Sequence, residues 1–181
     1  HPYRPAIIFR MAEAYLSYAE ALNESSERMS HKQEILDNLN KIRHRAGIAE
    51  YGTGTDENGF TRIKINFSDQ KEVRRLIHKE RRVEFVGEGV RYHDLRRWKT
   101  AHYGIGNLNE QGENPDWGVN GPDYGMNYYG TEYTDQGDNA FFKRTKYMDR
   151  VYPRKFYWYP IHQSEIDKDP TLVQGPFWLG E

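Results

Sequence analysis

The sequence predicts a mainly α protein built from antiparallel helix pairs of tetratricopeptide type, with a long irregular loop region and an extended C-terminal tail. Three observations carry this. Apolar residues recur at three- and four-residue steps through most of the first 99 residues. The connections between the first periodic segments are short, which favours antiparallel neighbours. The period is then lost between Ala101 and about Arg150, where Gly, Asn, Asp and Tyr take over.

The first helix is expected within RPAIIFRMAEAYLSYAEALNE, with Ile8, Met11, Tyr15, Tyr18 and Leu22 on one stripe and alanines at 12, 14, 19 and 21 favouring helix and close approach. The second lies within SHKQEILDNLNKIRHRAGI. Ser30 and Gln33 have capping-box spacing, Leu36, Leu39, Ile42 and Ala46 form the stripe, and Gly47 suits the position after the last turn. YGTGTDENGFTRIKINFS reads as a loop with a short extended piece at residues 63–67. Its Asp56-Glu57-Asn58-Gly59 resembles a calcium loop only faintly, because the flanking ligand positions are wrong. Asp69 then caps a third helix, with Glu72 at the third position and Val73, Leu76, Ile77 and Val83 as the buried stripe. Gly87 and Gly89 interrupt it, and a shorter helix follows with Val90, Leu95 and Trp98 facing inward. In the tail, Pro160 suits an extended stretch, Ser164 begins a turn and Pro170 ends it.

Composition narrows the function. The chain has 181 residues, 26 Lys+Arg against 27 Asp+Glu, and a formal net charge of -1, which speaks against a nucleic-acid partner. It has no cysteine, so disulfides, thiol catalysis and Cys-ligated zinc are excluded. No apolar run reaches the roughly 20 residues a transmembrane helix needs. It begins His1-Pro2-Tyr3, which reads as a trimmed piece whose targeting signal lies upstream. Aromatic residues make up 14%, with 14 Tyr and 4 Trp, and such rings suit contact surfaces.

The stretch RLIHKERRVEFVGEGVRYHDLRRW, residues 75–98, offers the densest charge. Glu80, Arg81, Glu84 and Glu88 lie at helical spacings from Arg74, Arg75, Arg91 and Arg96, which reads as a salt-bridged face between packed helices, made of exposed pairs. A glycosidase acid pair would have to sit across a cleft rather than along one helix. His78 with Glu80, and His93 with Asp94, lack the HExxH spacing of a zinc site and read as surface histidines. No metal or cofactor is expected.

Four blocks, RMAEAYLSYAEALNE, LDNLNKIRHRAGI, LIHKERRVEFVGEGVRYHDLRRW and YWYPIHQSEIDKDPTLVQGPFW, resemble in order the C-terminal part of the SusD/RagB family. The matching motif positions are Arg10, Glu13, Arg43, Arg45, Glu80, Arg81, Glu84, Arg91, Asp94 and Trp98, which read as architectural. The tail departs from the family with Pro-Ile-His where a second proline is usual, and with Gly-Pro-Phe-Trp where Asn-Pro-Gly-Trp is usual. The resemblance implies one region over 1–181 (helical 5–99, loop-rich 100–150, ordered tail 151–181) within a longer protein. It implies a surface-exposed lipoprotein of the cell outer membrane, anchored through a segment absent here. Such a protein captures glycans or other nutrients without catalysis and partners a SusC-like TonB-dependent transporter.

Ligand contact is expected from the loop, at Trp117, Asn120, Asp123, Tyr124, Tyr128, Tyr129 and Tyr133, with Asn114 and Asp116 nearby. Aromatic faces can stack on the C–H faces of sugar rings while short polar groups read the hydroxyls. The same rings could instead pin the loop to the helices or touch the transporter. Two further functions stay open on the residues alone: a helical-repeat scaffold for protein partners, and a glycan-active enzyme.

Overall fold

The computed structural model describes residues 8–104, 118–126 and 144–179. Its chain forms two compact units, His1–Arg91 and Tyr92–Glu181.

Three helices build the first unit: α1 (Met11–Glu24), α2 (Lys32–Ala46) and α3 (Gln70–Glu84). Their directions follow from side-chain pairs. Tyr18 Oη donates to Glu34 Oε2 at 2.8 Å, and Lys41 sits 4.4 Å from the Tyr15 ring centroid, so α2 runs antiparallel to α1. Asn23 donates to the Gln70 carbonyl, Arg74 reaches Glu24, Arg81 reaches Ser17, and Arg10 reaches Glu84 and Glu88. The order reverses along the two helices, so α3 is also antiparallel to α1. This is the mainly helical, antiparallel pairing that the periodicity predicts.

The core is Ala12, Leu16, Ala19, Leu22, Ile35, Leu39, Ile42, Tyr51, Val73, Ile77 and Phe85. It corrects the expected stripes. On α1 the buried row is Ala12–Leu16–Ala19–Leu22, while Ile8, Met11 and Tyr18 are exposed and Tyr15 is half-buried. Two rows were available on this helix, and the one carrying alanines lets α2 and α3 come close to its backbone. Ala46 is exposed at the end of α2. Val83 is 64% exposed, because six residues past Ile77 is about 240° around the helix, away from the core.

Capping separates the helices further. Asp69 accepts from the backbone N–H groups of Lys71 and Glu72, as expected for α3. Ser30 does not cap α2: His31 occupies that position, its side chain meeting Glu34 rather than a helix N–H, and the Ser30 hydroxyl instead donates to the Glu27 carbonyl. Gly47, at φ 67°, closes α2 by donating its N–H to the Arg43 and His44 carbonyls. Between α2 and α3 the chain makes isolated bridges, Tyr51 to Ile63 and Thr55 to Thr61. Asp56, buried, organises this loop by accepting from the N–H groups of Glu50, Asn58 and Phe60. After α3, Gly87 and Gly89 both take positive φ and break the helix.

In the second unit, α4 (Val90–Arg97) precedes a small core of Leu95, Ala101 and Tyr152, against which Val119 and Tyr157 pack. Trp98 is half-buried with its ring 5.0 Å from the Arg97 guanidinium, less enclosed than the sequence suggests. The stretch expected to be irregular contains a two-stranded antiparallel sheet, β1 (Gly121–Met126) with β2 (Arg144–Arg150), broken by a register shift at Asp123–Tyr124. Its strands carry glycine, proline and charge rather than alternating apolar residues, which hides a solvated ribbon from a periodicity reading. A 3₁₀ turn (Arg154–Tyr157) and α5 (Gln163–Lys168) complete the tail. His162 caps α5 by accepting from Ser164 N–H.

Candidate functional site

The charged block of residues 75–98 points partly into the protein and partly to solvent. The salt-bridged face lies between packed helices as expected, but Glu80, Arg81 and His78 are buried, which corrects the reading of exposed pairs and of His78 as a surface histidine. The partners also differ from those at helical spacing. Glu80 Oε1 takes Arg43 Nη1 at 2.5 Å and the Tyr51 hydroxyl at 2.8 Å. Burial first, and then the Glu80 charge, push the Tyr51 phenol well above its ordinary value, so its hydroxyl remains a donor. Glu84 is shared by Arg10 and Arg45, and Glu88 takes Arg10 at 2.7 Å. The Arg10 hydrogen bond draws the Glu88 carboxyl below the usual range. Arg81 bonds Ser17 at 3.0 Å and lies 4.0 Å from Glu20. The pairs run between α1, α2 and α3, where the sequence spacing had pointed along one helix. Glu13 stands half-buried in the first turn of α1, and Arg91 is half-buried in α4. Asp94 is buried and pairs with Arg97 at 3.0 Å. The pairs of Arg10, Arg43, Arg45 and Arg81 tie α1 and α2 to α3.

Of the loop residues, Trp117, Tyr128, Tyr129 and Tyr133 lie outside the described residues, as do Asn114 and Asp116. Asn120, Asp123 and Tyr124 are placed, and their roles divide. Asn120 precedes β1, and its amide works as a clamp: Nδ2 donates to the His102 carbonyl at 2.6 Å and Oδ1 accepts from Tyr152 N–H. Both ends of the side chain are thereby engaged. Asp123 faces Arg150 at 3.7 Å across the ribbon. Tyr124 is partly exposed, and the Arg144 guanidinium sits 4.1 Å from its ring centroid. Tyr124, Met126, Arg144 and Lys146 share one face by the pairing register. The arrangement is an exposed aromatic ring backed by a cation, with ion-paired acids at its margin. It can stack on an apolar ring face and hydrogen-bond hydroxyls at its rim.

Sequence reasoning missed a second aromatic surface in this unit. Arg96 donates to the Phe156 and Tyr157 carbonyls and to the hydroxyls of Tyr92 and Tyr152, and lies 5.4 Å from the Tyr159 ring centroid. Burial pushes the Tyr152 and Tyr157 phenols up, against the pull of Arg96 on the first and of backbone donors at His102 and Ala101 on the second. Tyr159 is 77% exposed. The signal was the run Phe156-Tyr157-Trp158-Tyr159, which the sequence reading treats only as tail.

Among the described residues no cluster of His, Cys, Asp or Glu could hold a metal ion, and no helix is long and apolar enough to cross a membrane.

Comparison with known proteins gives the frame. SusD-like protein P38 of Formosa agariphila is 32% identical over 103 residues, 57% of this chain and 19% of that protein. SusD-like protein P25 of the same bacterium is 33% identical over 92 residues, 51% of this chain and 15% of that one. The crystal structure of a SusD-like protein from Bacteroides fragilis matches 98% of this chain and 28% of its own, with a TM-score of 0.63 and 27% identity. The chain therefore spans about a fifth of the curated relative P38 and under a third of the solved structure. The model of the SusD family matches residues 3–178, nearly the whole length, and the chain belongs to that family.

Proposed function

We propose that this chain is the C-terminal part of a surface-exposed outer-membrane protein that captures a glycan or another nutrient, without chemical change, and passes it to a SusC-like TonB-dependent transporter. A lipid anchor in a segment outside the chain would hold it to the membrane. The observation that carries the reading is the family match over residues 3–178. The β1–β2 ribbon supports a glycan as cargo, since it offers the Tyr124 ring with Arg144 behind it. A non-catalytic role is supported by the carboxylates of that ribbon, which are paired: Asp123 with Arg150, and Asp149 with Lys146 at 2.8 Å.

A glycan array with the purified chain, followed by calorimetry and chromatography of the bound sugar, tests this. Binding without product release is expected. Replacing Tyr124, Trp117, Tyr128 and Tyr129 singly with Ala should weaken the binding in at least one case. Release of shorter products, abolished by Glu80→Gln or Glu84→Gln, would overturn the non-catalytic reading. Co-purification of a TonB-dependent transporter without any glycan binding would favour a protein scaffold instead.

A further inference from the structure

A cleft of about 700 Å³ opens in the first unit between α2 and the loop of residues 50–67. That lies within the range of roughly 300–1,000 Å³ seen for small-molecule sites. Its walls have three features that bear on what it could hold.

The first is rigidity. Asn40 grips Tyr51 from both sides, donating to its carbonyl at 2.9 Å and accepting from its N–H at 2.7 Å. Asp56 ties the loop to itself through three backbone N–H groups. The cleft is therefore pre-formed, so little ordering would be needed on binding.

The second is a charged group built into its base. Glu50 is 8% exposed. Its Oε1 lies 3.2 Å from His44 Nδ1, and its Oε2 accepts from Arg62 Nη2 at 2.9 Å. Arg62 Nε is itself buried without a hydrogen-bond partner among the described residues. A buried N–H donor left unpaired by protein is unfavourable, because its lost hydration is not replaced, and a ligand oxygen would relieve it.

The third is balance. Asp37, Glu50 and Glu57 line the cleft together with Lys41, Arg62 and Lys64, so the formal charges cancel with His44 counted as neutral. Leu36, Ile65 and Phe67 supply apolar wall. A strongly charged ligand finds no net attraction here. A neutral polyhydroxylated ring finds acceptors for its O–H groups, donors for its oxygens and an apolar surface for its C–H face.

We infer that this cleft is a subsite for a neutral saccharide, with Glu50, His44 and Arg62 reading its hydroxyls. The inference rests on the glycan-capture reading and names a place for it distinct from the β1–β2 ribbon.

The test is a titration of ¹⁵N-labelled chain with cellobiose, maltose and lactose, and in parallel with digalacturonate, followed by amide shifts and the Arg62 Nε–Hε signal. The expected result is saturable shifts at Gly52, Thr53 and Arg62 with at least one neutral disaccharide. Two variants localise the site. Arg62→Met should bind about tenfold or more weakly, the effect of losing a charge-assisted hydrogen bond. Thr53→Trp, at an exposed loop position, should block the mouth to a similar degree while leaving the fold and the Tyr124 region unchanged. Shifts confined to residues 121–126 and 144–150 would overturn the cleft assignment and leave the capture reading standing. Response to digalacturonate alone would overturn the neutral class. Silence of both surfaces toward every sugar would overturn the subsite and count against capture by this chain. Unchanged binding in Thr53→Trp would also overturn the subsite.

Discussion

Removing the Glu80 carboxylate tests whether the buried charge of α3 is structural. Glu80 is 6% exposed and receives two donors on one oxygen, Arg43 Nη1 at 2.5 Å and the Tyr51 hydroxyl at 2.8 Å. Glu80→Ala deletes the acceptor and leaves the guanidinium and the phenol inside. Arg43 keeps its Nε bond to the Ala49 carbonyl and its position 4.4 Å from the Tyr51 ring centroid, so the guanidinium cannot swing out without losing both. Breaking one partner of a buried pair costs about 3–5 kcal/mol. For a chain of this length that is a fall in Tm of roughly 6–20 °C. The double variant Arg43→Met, Glu80→Met removes both charges and replaces them with side chains of similar bulk. It should be far more stable than the sum of its single variants, because no charge is left stranded. Circular dichroism melts and urea titrations of the parent, Arg43→Met, Glu80→Met and the double variant form the cycle, with Glu80→Ala measured beside them. A Glu80→Ala protein within about 1 kcal/mol of the parent would refute the buried-network argument, and so would additive losses in the cycle.

Three further outcomes are expected. Asp69→Ala should cost about 1 kcal/mol in urea titration, the usual loss of an N-cap whose side chain accepts two helix N–H groups. Trp98→Ala should cost about half of the ~3–5 kcal/mol that a fully enclosed ring would, because the indole is half-buried; an unchanged melt would show that its contact with Arg97 contributes nothing. Asp56→Asn should destabilise the chain at neutral pH and converge with the parent in acid. Burial raises the Asp56 carboxyl, but the N–H groups of Phe60, Glu50 and Asn58 and the charge of Arg62 outweigh it and hold it below the ordinary range. With the folded value below the unfolded one, the contribution is complete above the ordinary Asp value of about 3.9 and is lost as pH falls through the folded value. Urea titrations at neutral pH and near pH 2.5 measure the difference; a gap that widens in acid would reverse the sign.

Helix existence was legible in the sequence because period 3.6 survives in α1, α2 and α3 even where the buried face was misassigned. Which face is buried depends on tertiary neighbours. On α1 the alanine row wins over the row of larger residues, since helix approach distance matters more than side-chain hydrophobicity there. The Asp69 cap was legible because its acceptor and the helix start are local. The Ser30 cap failed because turn residues 25–31 give its hydroxyl a nearer carbonyl, at Glu27. The partners of the ion pairs were misread for a related reason. Sequence spacing predicts partners along one helix, whereas Arg10, Arg43 and Arg45 come from α1 and α2 to meet α3. The clamp role of Asn120 was hidden too, because both its partners, His102 and Tyr152, are distant in sequence.

The network also bears on the cleft. Arg43 and Arg45 hold α2 to Glu80 and Glu84 of α3, while Asn40 and His44 of the same helix form one wall of the cleft. Two alternating rows of α2 thus serve different neighbours. Arg43 and His44 are adjacent residues, so fixing one fixes the other. If α2 slipped by one turn, His44 would move about 5.4 Å along the axis. It would leave Glu50, 3.2 Å away, out of hydrogen-bond reach, and Asn40 would lose Tyr51. An apolar seam between α2 and α3 would tolerate such a slip with new contacts of similar strength, since hydrophobic burial is non-directional. Paired charges with fixed geometry do not, because each guanidinium would face the wrong residue. The buried ions set helix register, and register sets the distance between the two walls on which a ligand oxygen must be met.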